Sequence, residues 1–220
     1  VGSPDLTNLP LIKDLAALGM PLVISTGMST LTEVAEAVAV ASQGHRNLLL
    51  LHCISAYPAA LEDSHLRLIP RLGRLFELPV GYSGHELGSL PSLAAVALGA
   101  CAIERHLTLS RRMRGSDHAI SLEPDEFRQL VSDVRGIETA LGSEERRVFP
   151  AEEAFREKLS KGIVASRELP AGHVLTSSDL TLKSPAKGLS GLMLEKVVGR
   201  AIRRKLGQDE PVLLDDLTEA

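Results

Sequence analysis

The 220-residue chain has no tryptophan, 3% aromatic residues and only two cysteines. Its apolar content is carried instead by Leu, Val, Ala and Ile, the usual filling of α/β layers. Cys53 and Cys101 are too few for a disulfide framework. Each lies in an apolar run, which predicts small buried thiols in a reducing compartment. No apolar run approaches the roughly 18 residues a membrane helix needs, and nothing resembles a signal peptide, so a cytoplasmic location is expected. Neither sign of charge dominates: the formal net charge is -4, with signs interspersed. That excludes an electrostatic footprint for nucleic acid or an anionic membrane. Arg111, Arg112 and Arg114 form one local basic cluster, read first as a solvated loop and second as a ligand site. What the chain does have is 44% hydrophobic residues, enough for one large domain or for a larger piece plus a small one.

From Leu6 to about Leu141 short apolar runs alternate with helical stretches, the signature of βα units with a parallel sheet. Strands are expected at Leu22–Ser25, Leu48–Cys53, Val80–Ser83 and Cys101–Leu107. Thr30 with Glu33 forms a capping box for a helix through Ala41. Pro124, Asp125 and Glu126 open another, whose Phe127, Leu130, Val131, Val134, Ile137 and Leu141 make one apolar stripe. After Gly142-Ser143 a charged stretch, 144–161, reads as a linker with helix through Glu152–Leu159. Region 162–220 is punctuated by Gly and Pro, as a small, loop-rich domain would be. At the other end, Val1-Gly2-Ser3-Pro4-Asp5 reads as a strand end entering a loop, so sequence upstream of Val1 is expected.

Polar residues gather where the strands should end. Ser3 and Asp5, Ser55 and Tyr57, Ser83 and His85, and Glu104 and His106 are spaced so that each pair shares a face in extended chain. The mouth of a parallel barrel collects polar side chains at strand C-terminal ends, while its interior is branched and apolar. His85 and His106 are candidate divalent-metal ligands, or hydrogen-bonded loop histidines. Ser3, Ser25 and Ser83 can donate to a phosphate, helped by amides of Ser25-Thr26-Gly27, or can serve as caps and turns. Asp5 and Asp117 are candidates for acid, base or sugar contacts, or for fixing loops, and Glu104 is expected to orient a neighbour.

Six ordered motifs carry a family resemblance: Ser3-Pro4-Asp5-Leu6-Thr7-Asn8-Leu9-Pro10, Leu22-Val23-Ile24-Ser25-Thr26-Gly27-Met28, Leu51-His52-Cys53-Ile54-Ser55-Ala56-Tyr57-Pro58, Gly81-Tyr82-Ser83-Gly84-His85-Glu86, Glu104-Arg105-His106-Leu107-Thr108 and Gly115-Ser116-Asp117-His118. In this order they resemble the sialic acid synthases, with Gly84 and the last motif similar to the animal type. The stretches Ile163-Val164-Ala165 through Gly172 and Leu175–Leu180 resemble the antifreeze-like (SAF) domain of those enzymes. The resemblance implies the C-terminal half of a (β/α)8 TIM barrel over 1–143, a linker over 144–161 and the SAF domain over 162–220. It further implies a domain-swapped homodimer, each small domain reaching over its partner's barrel mouth. The implied substrates are phosphoenolpyruvate and an N-acylhexosamine such as N-acetylmannosamine. The implied cofactor is a divalent metal, Mn2+ before Mg2+ or Co2+, on His85 and His106. Ser3, Ser25 and Ser83 would contact the phosphate, Ser55 and Tyr57 the carboxylate region, and Asp5 and Asp117 the sugar.

Three departures qualify the resemblance. Ser55 stands where many bacterial members have Asn. Lys183-Ser184-Pro185 replaces a Lys-Arg-Pro pattern whose Arg contacts the acyl group, which leaves Lys183 or Lys187 as substitutes. The family's first barrel strands, with a glutamate and phosphate-binding lysines, have no counterpart, and an isolated copy is expected to be inactive. The alternatives are a synthase of a related nonulosonic acid and a non-catalytic carbohydrate- or ice-binding protein.

Overall fold

A computed structural model describes residues 1–218, which divide into two units, Val1–Ser143 and the chain from Glu144 onward. The first unit alternates helix and strand: α1 (Leu9–Ala17), β1 (Leu22–Ser25), α2 (Leu31–Ala41), β2 (Leu48–Cys53), α3 (Leu68–Phe76), β3 (Val80–Gly84), α4 (Leu90–Ala97), β4 (Ile103–Arg105) and α5 (Pro124–Leu141). The strands are parallel in the order β1-β2-β3-β4. These parallel βα units are what the alternating pattern predicts, and together they form the half-barrel that the resemblance implies. Local signals fix the helix starts: Thr30 accepts from the Glu33 amide while Glu33 accepts from the Thr30 amide, and Pro124 opens α5, where its missing N–H costs nothing.

Strand periodicity then sorts the side chains. Leu22 and Ile24, Leu48 and Leu50, and Val80 and Tyr82 join Ile12, Val34, Val38, Ile69 and Leu72 of the helices in one buried core. Each such side chain contributes about 1.5–3 kcal/mol relative to an exposed one. The other face carries Val23, 41% exposed, and the polar Ser25, Ser83 and Glu104.

Several expectations need correction. The fourth strand covers only Ile103–Arg105, because Leu107 leaves the β3 ladder and bridges Leu122 instead. Cys101 is exposed, lying in the turn ahead of that shortened strand. Ser3 and Asp5 do not share an extended face, since Ser3–Asp5 is a turn of 3-10 helix around Pro4. Ser55 and Tyr57 follow the end of β2 in irregular chain. Of the α5 stripe, Leu130 is buried while Val131 and Leu141 are exposed.

In the second unit the stretch read as a linker carries α6 (Pro150–Leu159). Beyond it, β5 (Gly162–Ala165) pairs antiparallel with β6 (Leu180–Lys183), and α7 is only Leu194–Val197. The compact core holds Ile163, Leu169, Leu175, Val197, Ile202, Leu206 and Val212. An internal repeat, not read from the sequence, organises it. Arg167, Leu169, Gly172, Asp179 and Leu180 recur at one constant offset as Arg204, Leu206, Asp209, Asp216 and Leu217. Leu169 and Leu206 exchange amide hydrogen bonds of 2.8 and 2.9 Å. Gly172 and Asp209 both take positive φ, 82° and 65°. Arg167 binds Asp179 as Arg204 binds Asp216. Among the described residues no helix is long and apolar enough to cross a membrane.

Candidate functional site

Three of the expected pairs of strand ends supply the site. β3 delivers Ser83 and, just past its end, His85, while β4 delivers Glu104 and then His106. The two imidazoles meet edge to face with centroids 5.2 Å apart. Tyr57, from the segment after β2, lies against both, at 4.3 Å from His85 and 5.9 Å from His106. Asp117 brings Oδ2 to 3.9 Å from His106 Nδ1, within charge-pairing distance when that ring is protonated. Ser83 Oγ donates to Glu104 at 2.7 Å, so Glu104 orients a neighbour as expected.

A second cluster adjoins the first through Cys53. Its sulfur lies 3.8 Å from Ser3 Oγ, 3.9 Å from Ser55 Oγ and 3.7 Å from His85 Nδ1. Ser3 Oγ accepts from the Gly27 amide at 3.0 Å. A Cβ on Gly27 would come within 2.3 Å of Ser55 Oγ and 2.8 Å of Ser3 Oγ, so only glycine leaves this cradle open. Ser25 closes β1 in register with Leu51, buried, and its hydroxyl makes no hydrogen bond among the described residues. Asp5 is not drawn in: its carboxylate is exposed and forms no hydrogen bond or ion pair among those residues.

Electrostatics follow from this packing. Burial works to raise the Cys53 thiol, but hydrogen bonding and charge from His85, with help from Ser3 and Ser55, bring it below its ordinary pKa. Burial works to lower His85, but Cys53 and the Ile54 carbonyl leave it raised. Burial and the nearby Cys53, Asp117 and Glu104 raise Tyr57, which keeps its hydroxyl a donor at neutral pH.

The residues fit a divalent cation in a specific way. His85 Nδ1 lies 2.8 Å from the Ile54 carbonyl, which places the ring proton on Nδ1 and leaves the Nε2 lone pair for a ligand bond. Among the described residues no three His, Cys, Asp or Glu side chains converge as a closed metal cage. Were a cation held by these two imidazoles, its remaining positions would be open, as in a catalytic rather than a structural donor set.

Sequence reasoning undervalues Cys53, which reads only as a buried thiol. Its signal is its place in a strand end between His52 and Ser55. Elsewhere the expected substitutes in the second unit separate: Lys183 is held by Asp209 at 2.5 Å, whereas Lys187 forms no ion pair among the described residues. Ser184 donates to the Leu159 carbonyl at 2.8 Å. Arg111 of the basic cluster is tied to Glu126 and to the Ser121 carbonyl, a loop strut rather than a free cation.

Parallel βα units with hydroxyls and imidazoles gathered at the strand C-terminal ends define part of a barrel-type α/β enzyme domain. Comparison with known proteins makes this specific. The NeuB family profile matches residues 1–146 and the SAF domain profile residues 160–218. The human N-acetylneuraminate-9-phosphate synthase is 41% identical over 97% of this chain and 60% of its own length. The N,N'-diacetyllegionaminic acid synthase of Campylobacter jejuni is 38% identical over 96% of this chain and 64% of its own. Among solved structures, the N-acetylneuraminic acid synthetase of Leptospira borgpetersenii in complex with citrate is similar with a TM-score of 0.66 and 34% identity, over 72% of this chain and 57% of that one. The chain belongs to the NeuB family of synthases, and it spans 60–64% of the length of these two curated relatives.

Proposed function

We propose that this chain carries the metal- and phosphoenolpyruvate-binding part of a synthase that condenses phosphoenolpyruvate with N-acetylmannosamine and water to give N-acetylneuraminate and phosphate. The observation that carries the reading is the pair of imidazoles, edge to face on adjacent strand ends beside an open hydroxyl cradle. When bound, a divalent cation, manganese first, would polarise the aldehyde of the open-chain sugar. Ser3, Ser25 and Ser83 would hold the phosphate as hydroxyl donors, with the Gly27 gap giving it room. Ser55 and Tyr57 would flank the carboxylate, and Asp117 would hold the sugar chain beside His106. With both substrates so placed, C3 of phosphoenolpyruvate bonds to the aldehyde carbon. Water adds at C2, and the bond from C2 to the phosphate oxygen breaks. The SAF domain would cover the site of a second subunit in a homodimer, excluding water and completing the sugar pocket.

The lost Arg at Ser184 favours a second reading, a synthase of a related nonulosonic acid with a different hexose. The test is release of phosphate from phosphoenolpyruvate by the complete protein with manganese and a panel of mannose, N-acetylmannosamine, its 6-phosphate and a diacetamido hexose. Release that depends on an N-acylated hexose, with the matching product by mass spectrometry, supports the reading and selects the sugar. Phosphate release without any sugar, or none with all four, overturns it.

A further inference from the structure

Behind the two imidazoles lies a buried network that the proposed reaction does not use. Glu86 follows His85 directly and Arg105 precedes His106 directly. Their side chains pair at 2.8 Å, each 1% exposed. Arg105 Nη1 also donates to the Gly88 carbonyl at 2.6 Å and to Ser92 Oγ at 3.1 Å, and Nη2 donates to the Glu86 carbonyl at 2.6 Å. The second Glu86 oxygen accepts from the Tyr82 hydroxyl at 2.9 Å. One guanidinium on β4 therefore grips the whole turn that follows His85 and the first part of α4.

Stability alone does not account for this arrangement. A buried ion pair loses hydration comparable to what it gains, and well-packed apolar residues often replace one without cost. Arg105 Nε, moreover, is buried with no hydrogen-bond partner among the described residues, which adds to the cost of folding. Position supplies the reason. Arg105 is the last residue of β4 and His106 follows it directly, so holding Arg105 on the helix side fixes the point from which the chain carries His106 to the mouth. Glu86 lies in the bend after β3, so holding its carboxylate and its carbonyl fixes the turn that carries His85. The fork geometry of arginine sets distances in a plane, which a flexible lysine does not.

Resting on the reading of the two histidines as cation ligands, we propose that Glu86 and Arg105, braced by Tyr82 and Ser92, are the positioning clamp that sets the spacing and angle of His85 and His106 for a divalent cation. Outer partners of metal ligands typically change affinity by about 10- to 100-fold when removed.

The experiment measures manganese(II) binding to the full chain by electron paramagnetic resonance, with circular dichroism melts on the same samples. It compares the natural protein with His85→Ala, Arg105→Lys, Tyr82→Phe and Ser92→Ala. His85→Ala should abolish binding. Arg105→Lys should weaken it about 10- to 100-fold at temperatures where the fold is intact, and Tyr82→Phe and Ser92→Ala should weaken it less. In the metal-free Arg105→Lys protein, imidazole NMR should show the His85 Nδ1–H bond to Ile54 loosened. Equal binding by the natural protein and His85→Ala, or none by either, rejects the ligand reading and the clamp with it. Loss in His85→Ala together with unchanged binding in folded Arg105→Lys, Tyr82→Phe and Ser92→Ala keeps the ligands and rejects the clamp. Should Arg105→Lys not fold, Tyr82→Phe and Ser92→Ala decide, because both remove a neutral partner and leave the ion pair in place.

Discussion

In the second unit Asp179 accepts from Arg167, His173 and both the amide and hydroxyl of Thr176, whereas in the first unit His85 has one ring nitrogen tied to Ile54 and the other without a partner among the described residues. Asp216 repeats the Asp179 pattern, accepting from Arg204 and from the Leu213 amide. Saturated carboxylates of this kind hold a fold together. Polar groups kept with a free valence, at the open ends of strands whose backs are packed in a core, are held ready for something else. The strand ends of the first unit and the saturated carboxylates of the second thus put polarity to opposite uses, and perturbing them should give opposite results.

The sharpest contrast is between ligand binding and stability. His85→Ala and His106→Ala should each weaken manganese binding by more than about 100-fold, beyond what losing an outer partner costs. His106→Ala should change folding stability by less than about 1 kcal/mol, and His85→Ala, which strands the part-buried Ile54 carbonyl, by about 1–3 kcal/mol. Calorimetric titration and thermal melts on the same variants check both halves. A large melting shift without loss of binding would erase the distinction between the units.

The converse holds for Asp179→Ala and Asp216→Ala. Each strands hydrogen-bond donors that had a charged acceptor, so each should destabilise the second unit by about 2–4 kcal/mol. Manganese binding should stay unchanged. Hydrogen exchange resolved to the two units reads this directly, with loss of protection at Ile163, Leu169 and Leu206 and none at Ile24 or Leu50.

Acid sharpens the same point. His173 and Thr176, with Arg167, hold the Asp179 carboxyl well below the usual carboxylate range, against the opposing effect of burial. A depressed carboxylate stabilises the native state fully above its unfolded pKa of about 4, and that contribution is lost as pH falls through the native value. The second unit should therefore lose stability steadily below about pH 4. Asp179→Asn should flatten that acid limb in pH-dependent denaturant titrations.

Much of the first unit is legible in its amino-acid pattern. The β1 and β2 ranges follow from apolar runs bounded by polar residues, and α2 from the Thr30 and Glu33 pairing. Tyr57, His85 and His106 are marked by their place near strand ends and Asp117 by the Gly115-Ser116-Asp117-His118 motif, and the fold brings them together. Two kinds of feature are not legible in this way. Spacing by two residues assumes extended chain, and Pro4 instead favours a turn that sends Ser3 to Gly27 and leaves Asp5 outside. Glu86 and Arg105 give no signal of their own, because a charged residue beside a candidate ligand looks solvated until both are seen buried. The repeat in the second unit is hidden by its few identities, since Gly172 answers to Asp209 and Pro170 to Gly207.

Gly27 offers a smaller test, confined to the open side of the first unit. Gly27→Ala would push a methyl against Ser55 and Ser3. Both are hydroxyl side chains able to rotate away, so the cost to stability should be about 1–3 kcal/mol, at the level of overpacking. Phosphoenolpyruvate binding, measured by calorimetry, should fall at least about tenfold because the cradle is filled. Retained affinity would place the anion elsewhere.

The smallest effect is expected where neither use of polarity applies. Glu77 ends α3 with φ 53° and ψ 39°, a left-handed conformation that costs any residue with a Cβ about 1 kcal/mol relative to glycine. Its side chain is exposed and forms no ion pair among the described residues. Glu77→Gly should thus stabilise the first unit by about 0.5–1 kcal/mol, the relief of strain exceeding the added freedom of the unfolded chain. Neither manganese binding nor the second unit should respond, because α3 packs on the helix side of the sheet through Ile69 and Leu72, away from the face that carries Ser83 and Glu104. Chemical denaturation followed at that unit checks it, and a destabilised variant would mean that the Glu77 carboxylate has a role in the native fold that its surroundings do not reveal.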